Sequence, residues 1–239
     1  MGDSRAVVDG ENAVHMRRVL RVEAGQKYEL SDGERLYLAE IESFGRDTVE
    51  FRILEQLPAR REGARVILYA ALVKFDRLEW MIEKATELGA QRLVPVVTAR
   101  CEAGLEKAAA KRLGRWSRIA QESGQQCRRL RPMRVETPVE LKGVLGANHP
   151  LRLILDEEGG TPLLTCLQSR ASEIALLAGP EGGWTAAERT AARDAGWVPA
   201  SLGEQILRAE TTALAAVSQI QGWWWAEVAP KIRATGNRP

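Results

Sequence analysis

The chain is 239 residues long, 45% of them hydrophobic, and its 34 basic and 32 acidic side chains give a formal net charge of +2. That length and apolar content suffice for one large core or two smaller ones, and the near-balance of charge does not by itself announce a nucleic-acid partner. Cys101, Cys127 and Cys166 are odd in number and widely spaced, which argues against a disulfide framework or a zinc site; no metal is expected, and a reducing compartment is.

The N-terminus lacks an apolar signal core and no run reaches the length of a membrane span, so the expectation is a cytoplasmic protein with no membrane partner. In chain order, residues 28–30, 35–41 and 48–54 read as short strands joined by the turns Ser31-Asp32-Gly33-Glu34 and Phe44-Gly45-Arg46-Asp47, the meander of a small barrel. The pattern changes near Pro58-Ala59-Arg60-Arg61-Glu62-Gly63, which suggests a small domain over 1–63 and a larger one over 64–239. Strands at 65–72, 93–97, 151–155 and 173–178 then alternate with helices at 78–88 and 105–121, the signature of an α/β fold with a parallel sheet.

The helix at 105–121 carries Lys107, Lys111, Arg115 and Arg118 on one side and Leu105, Ala109, Leu113, Trp116 and Ala120 on the other. Together with Arg128 and Arg129 this makes a basic ridge, either an ordinary solvated face or a phosphate-contacting surface.

Residues 173–178 form an almost wholly apolar run that fits a strand buried on both faces. Gly179-Pro180-Glu181-Gly182-Gly183 follows, then Thr185-Ala186-Ala187-Glu188, a capping box that starts a helix ending near Gly196. A further strand at 197–202 leads through a loop over 203–208 into a helix at 209–228 with small apolar residues at Ala213, Ala216 and Val217. Glycine-rich loops of this kind let backbone N–H groups approach a ligand, or simply make tight turns. The presence of two favours one shared pocket.

Gly179-Pro180-Glu181-Gly182-Gly183, taken with Leu202-Gly203-Glu204-Gln205-Ile206-Leu207-Arg208-Ala209-Glu210-Thr211-Thr212, resembles the SPOUT (trefoil-knot) methyltransferase superfamily. Within it the likeness is to the ribosomal RNA uridine-N3 methyltransferases. Lys74 through the helix ending Lys84-Ala85-Thr86-Glu87-Leu88-Gly89 is similar to a second family segment, and His15-Met16-Arg17-Arg18-Val19-Leu20-Arg21 to its opening. Arg128 stands where the family usually has glycine, Cys101 where serine is common and Ala209 where threonine is common.

The resemblance implies an N-terminal PUA-like β-barrel and a C-terminal knotted domain that pairs as a homodimer. It also implies S-adenosylmethionine as cofactor, bound by Gly179, Pro180, Glu181, Gly182, Gly183, Leu202, Gly203, Ile206, Leu207 and Arg208, with Leu177, Thr211 and Ala213 as lining. The implied substrate is 16S ribosomal RNA, as an assembled small subunit, contacted by Arg17, Arg18, Arg21, Lys74 and the ridge. Arg208 is the candidate for stabilising charge on the uracil oxygens and Glu210 for taking the N3 proton. Against these stand an ion-pairing role for Arg208 and a helix-terminal carboxylate for Glu210. His15 and His149 are the other titrating groups, with His149 read as a surface loop residue. Methylation of another RNA nucleotide, or a non-catalytic RNA-binding assembly factor, is the alternative function.

Overall fold

The computed structural model describes residues 4–58, 61–102, 104–167, 171 and 173–230. The chain divides after Arg61 into two compact units; residues 59 and 60 of the expected linker lie outside the described residues.

The first unit is an antiparallel sheet of β1 (Arg5–Asp9), β2 (Lys27–Ser31), β3 (Leu36–Phe44) and β4 (Thr48–Leu57), in the order β1-β4-β3-β2, with helix α1 (Gly10–Arg18) after β1. Alternation puts Ala39, Ile41, Val49 and Phe51 inside, where Ala13 of α1 and Val22 join them. β1 and α1 were not expected: α1 buries only Ala13, too thin a stripe to read as periodicity.

The second unit contains β5 (Arg65–Ala71), α2 (Phe75–Glu87), β6 (Arg92–Val97), α3 (Leu105–Ala109), a 3₁₀ turn (Ala110–Arg112) and α4 (Leu113–Gln126). β7 (Arg134–Val135), β8 (Val139–Glu140), α5 (Leu141–Leu145), β9 (Leu151–Leu155), β10 (Thr161–Pro162) and α6 (Leu163–Cys166) come next. The unit closes with β11 (Glu173–Ala178), α7 (Ala186–Asp194), β12 (Val198–Ser201) and α8 (Ala209–Trp223), whose end winds into a π turn (Trp224–Val228). The sheet runs β10-β12-β9-β11-β5-β6-β7, with β8 also against β6, and every pairing is parallel.

Period-two alternation explains the layers. Val66, Leu68 and Ala70 of β5 with Ile174, Leu176 and Ala178 of β11 face a core filled by Met81 of α2, Trp116 of α4 and Val217 of α8. Ile67 and Tyr69, with Ala175 and Leu177, face the opposite core, closed by Leu141 of α5, Ala192 of α7, Trp184 and Trp197. The expected helix at 105–121 is broken by the 3₁₀ turn and runs on to Gln126. Late in α4, Gly124 lies where an added Cβ would press on Pro132.

Near the far end of α8, Gln221 is 9% exposed and its amide reaches the start of the unit. Nε2 donates to Ala64 O (2.9 Å) and Gly89 O (3.2 Å), while Oε1 accepts from Ala64 N (2.9 Å).

Candidate active site at the strand ends

In a parallel sheet all strands deliver their C-terminal ends to one edge, and ligands bind there. β11 ends at Ala178 and gives way to the loop 179–183, which turns into α7 through the anticipated capping box. Thr185 Oγ1 accepts from Glu188 N (3.2 Å), and Glu188 Oε2 accepts from Thr185 N (2.9 Å). Gly183 takes φ +69°, a left-handed conformation that glycine adopts without strain. A Cβ there would also overlap Glu157 Oε1.

The second loop follows β12. Ser201 Oγ accepts from Gly203 N (3.2 Å), and Gly203 has φ +131°, a backbone region nearly closed to other residues. Between this loop, the glycine loop and the end of β9 lies a cavity of about 170 Å3.

Its lining contains nine of the expected residues: Gly179, Pro180, Glu181, Gly182, Gly183, Leu202, Gly203, Ile206 and Leu207. Four others are not part of it. Leu177 turns to the opposite face of the sheet, onto Trp184 and Trp197, and Ala213 is packed in the core. Thr211 is exposed, and Arg208 is an exposed residue at the N-cap of α8. The face of α8 that meets the cavity is Ala209 and Thr212, spaced by one helical turn.

Glu210 is 7% exposed, off the cavity lining, and its Oε2 has no hydrogen-bond partner among the described residues.

Sequence reasoning missed the third wall. Asp156 and Glu157 enter the cavity from the end of β9, and the run Asp156-Glu157-Glu158 directly after a buried strand was the available signal. Arg189 of α7 organises it. Its Nε donates to both Asp156 oxygens (2.9 and 3.1 Å), Nη2 to Glu157 Oε1 (2.8 Å) and Nη1 to Trp184 O (2.7 Å), and Nη1 also pairs with Glu158 Oε1 (2.9 Å). The neighbouring Glu188 works in the other direction, its Oε1 accepting from Ala99 N (2.8 Å) beyond β6. Adjacent residues of one helix thus tie the loops after β6 and β9 to the glycine loop between them. Arg77 Nη1 donates to Glu181 Oε1 (2.8 Å), Arg100 Nη1 donates to Gly182 O, and Trp184 Nε1 donates to Leu155 O (2.9 Å).

The groups expected to meet RNA are placed as follows. Arg17 donates to Gly45 O (3.0 Å) and Arg46 O (2.9 Å), bracing a turn of its own unit, while Arg18, Arg21 and Lys74 are exposed. Lys107, Lys111, Arg115, Arg118 and Arg128 are also exposed. Arg115 grips Glu79 of α2 through Nε and Nη2 (2.8 Å each), and Arg112 Nη1 adds a bond at 3.0 Å. These bonds, Arg115's first, hold the Glu79 carboxyl below its usual range.

Arg129 is a correction to the expected ridge. Its guanidinium folds inward, donating to Thr86 O (2.8 Å) and Ala90 O (2.7 Å) at the end of α2, and burial lowers its pKa. Cations at a helix C-terminus satisfy carbonyls that the helix leaves open.

His149 is a second correction. Its side chain is 8% exposed, with Nε2 2.9 Å from Tyr69 Oη and Nδ1 2.8 Å from Glu173 Oε1. Burial raises the pKa of Tyr69, the strand residue against which the imidazole rests.

Residues 60–221 match the model of an RNA methyltransferase domain, and residues 8–54 that of an RNA methyltransferase PUA domain. The chain is 33% identical, over 90% of its length and 85% of the relative's, to a ribosomal RNA small subunit methyltransferase E of Mycobacterium bovis. It is 30% identical to the protein of that name from Bacillus subtilis, over 89% of this chain and 88% of that one. The crystal structure of the Neisseria gonorrhoeae enzyme of that name, bound to S-adenosylmethionine, superposes with a TM-score of 0.84, at 28% identity and 93% coverage of both chains. A putative methyltransferase of Legionella pneumophila, in complex with the same cofactor, gives 0.81, at 29% identity and 93% coverage of both. Among the described residues no cluster of side chains suits a metal ion, and no helix is long and apolar enough to cross a membrane.

Proposed function

The chain belongs to the RNA methyltransferase family, with an N-terminal PUA-like unit and a C-terminal α/β unit, and on that premise we propose that it methylates N3 of one uridine in 16S ribosomal RNA, using S-adenosylmethionine. The observation that carries the reading is the cavity, where two glycine-bearing loops and the end of β9 converge at the strand ends. The uridine and its N3 rest on the family resemblance.

The residues present fit the cofactor. Gly182 and Gly183 keep side chains out of the glycine-loop wall, Leu202, Ile206 and Leu207 supply apolar lining, and Gly203 and Gln205 complete the second loop's share. We take these two loops to be those of the trefoil knot. When bound, S-adenosylmethionine supplies an activated sulfonium methyl group.

The protein's tasks are then alignment and charge. N3 of uridine is a poor nucleophile until its proton leaves. Arg208, exposed and without an ion pair among the described residues, stabilises negative charge spreading to the uracil oxygens. Glu210 takes the N3 proton in this reading; its Oε2, in the first turn of α8, is buried behind the cavity lining and lacks a hydrogen-bond partner among the described residues, so the proton reaches it only if the loop or the substrate brings N3 to that atom. The protein works as a homodimer in this reading, supported by Ile206 (87% exposed) and Trp225 (43% exposed), apolar groups left in solvent on the C-terminal unit. The substrate is the assembled small subunit.

The test is mass mapping of modified nucleotides in small-subunit RNA from cells lacking the gene. One N3-methyluridine should disappear and return with the wild-type gene; an unchanged map, or loss of a different mark, refutes the assignment. Purified enzyme should label assembled subunits and leave deproteinised RNA unlabelled.

A further inference from the structure

We propose that Glu157 makes the cavity prefer a positively charged methyl donor to the neutral thioether that remains after transfer, so that the site favours exchange of product for fresh donor. The inference rests on the cofactor reading above.

Among the described residues, the cavity lining includes three carboxylates, Asp156, Glu157 and Glu181, and no lysine or arginine. Two of the three are matched. Asp156 is 5% exposed and both its oxygens accept from Arg189, and Glu181 is paired with Arg77 at 2.8 Å. Glu157 is different. It shares the Arg189 guanidinium with Asp156 and Glu158, three carboxylates against one cation, so the β9 end of the cavity keeps a local negative excess, while Arg100 on Gly182 O adds a cation at the glycine loop.

Its position is fixed from two sides. Arg189 Nη2 donates to Oε1 at 2.8 Å, and that same oxygen occupies the space where any side chain at residue 183 would begin. The side chain is 38% exposed, so the carboxylate is neither buried out of reach nor swinging in solvent. A fixed, partly dehydrated charge in a cleft acts on a ligand charge more strongly than a free surface group does.

S-adenosylmethionine and S-adenosylhomocysteine share the adenosine and the amino-acid end and differ by one methyl group and one unit of positive charge at sulfur. A group that binds the hydroxyls, or merely holds the loop, affects both alike. A group that senses the sulfonium changes their ratio.

The experiment is calorimetric titration of the full chain with each ligand separately at pH 7.5, for wild type, Glu157→Gln and Glu158→Gln. Glutamine keeps the size of Glu157 and can still accept from Arg189. Glu157→Gln should narrow the preference for the donor roughly tenfold, almost all of it from weaker donor binding, the coupling of two unit charges about 12 Å apart at an effective dielectric of ~20. Glu158→Gln, whose side chain is 68% exposed and outside the lining, should retain the wild-type ratio. An equal loss for both ligands, or an unchanged ratio in Glu157→Gln, overturns the proposal. Failure of the wild type to bind either ligand overturns the cofactor reading itself, and this inference with it.

Discussion

Arg189→Met tests whether one buried guanidinium holds the strand-end loops in place. The Arg189 side chain is 8% exposed and that of Asp156 is 2% exposed. Methionine fills much of the volume but removes the cation, leaving a buried carboxylate whose remaining donor among the described residues is Glu158 N (3.1 Å). Removing one partner of such a pair typically costs about 3–5 kcal/mol, more than the pair contributes over an apolar replacement. For a unit of this size each kcal/mol lowers Tm by about 2–4 °C, so calorimetric melting of the full chain should show its larger transition falling by about 6–20 °C. Asp156→Asn in the same background removes the stranded charge and should recover more than half of the loss, a coupling that a double-mutant cycle measures. A destabilisation under about 1 kcal/mol, or strict additivity of the two changes, would refute the reasoning, because it would mean that Asp156 never depended on Arg189.

Gly203→Val forces a branched side chain onto φ +131° in the cavity wall, and titration should show S-adenosylmethionine binding lost while the circular dichroism of the sheet persists. Arg208→Ala should lower single-turnover methyl transfer on the order of a hundredfold with little change in RNA affinity, and Glu210→Gln should lose turnover near neutral pH and partly regain it at high pH, where uridine ionises unaided. Glu79 carries a lowered pKa, from the Arg115 bonds first, so its contribution is complete above the unfolded value near 4.5 and is lost as pH falls through the lower folded value; Glu79→Gln should flatten the fall of Tm across that acid range. Replacing Lys107 and Lys111 together by glutamine should weaken RNA binding and reduce the log–log salt slope by about 0.7–0.9 per lost phosphate contact, whereas an unchanged slope returns them to plain solvated surface.

How much of this was legible in the sequence depended on how many residues repeated a signal. β11 was read to its ends because six residues in a row are apolar or flanking, and the start of α7 because its capping box is local chemistry. β7, β8 and β10 have two residues each, too few to alternate, and exist only because a longer neighbour offers hydrogen bonds. At the cavity, the glycines marked backbone positions and were found; Asp156 and Glu157 were not, because their meaning depends on Arg189, 33 residues away from Asp156 in sequence. The errors at Leu177, Thr211 and Ala213 are errors of facing: Thr211 and Ala213 stand one helix position either side of Thr212, which lines the space, and Leu177 stands two before Gly179, on the other face of the sheet. Arg129 and His149 looked like surface groups because their partners, the carbonyls of Thr86 in α2 and of Ala90 just beyond it and the Tyr69 hydroxyl, carry no sequence signature.

The strand order has a consequence for synthesis. β11, laid down at residues 173–178, lies between β5 at 65–71 and β9 at 151–155, so the middle of the sheet is made after both of its neighbours. A ribosome adding residues in order therefore releases two apolar strand edges with nothing between them, and the gap stays open until well over two thirds of the chain is out. The Gln221 amide, which secures Ala64, arrives later still. Assembly of this unit must wait for its own C-terminal third, and during that wait the flanks of β5 and β9 are the surfaces on which a nascent chain is most exposed to mispairing and to chaperone capture.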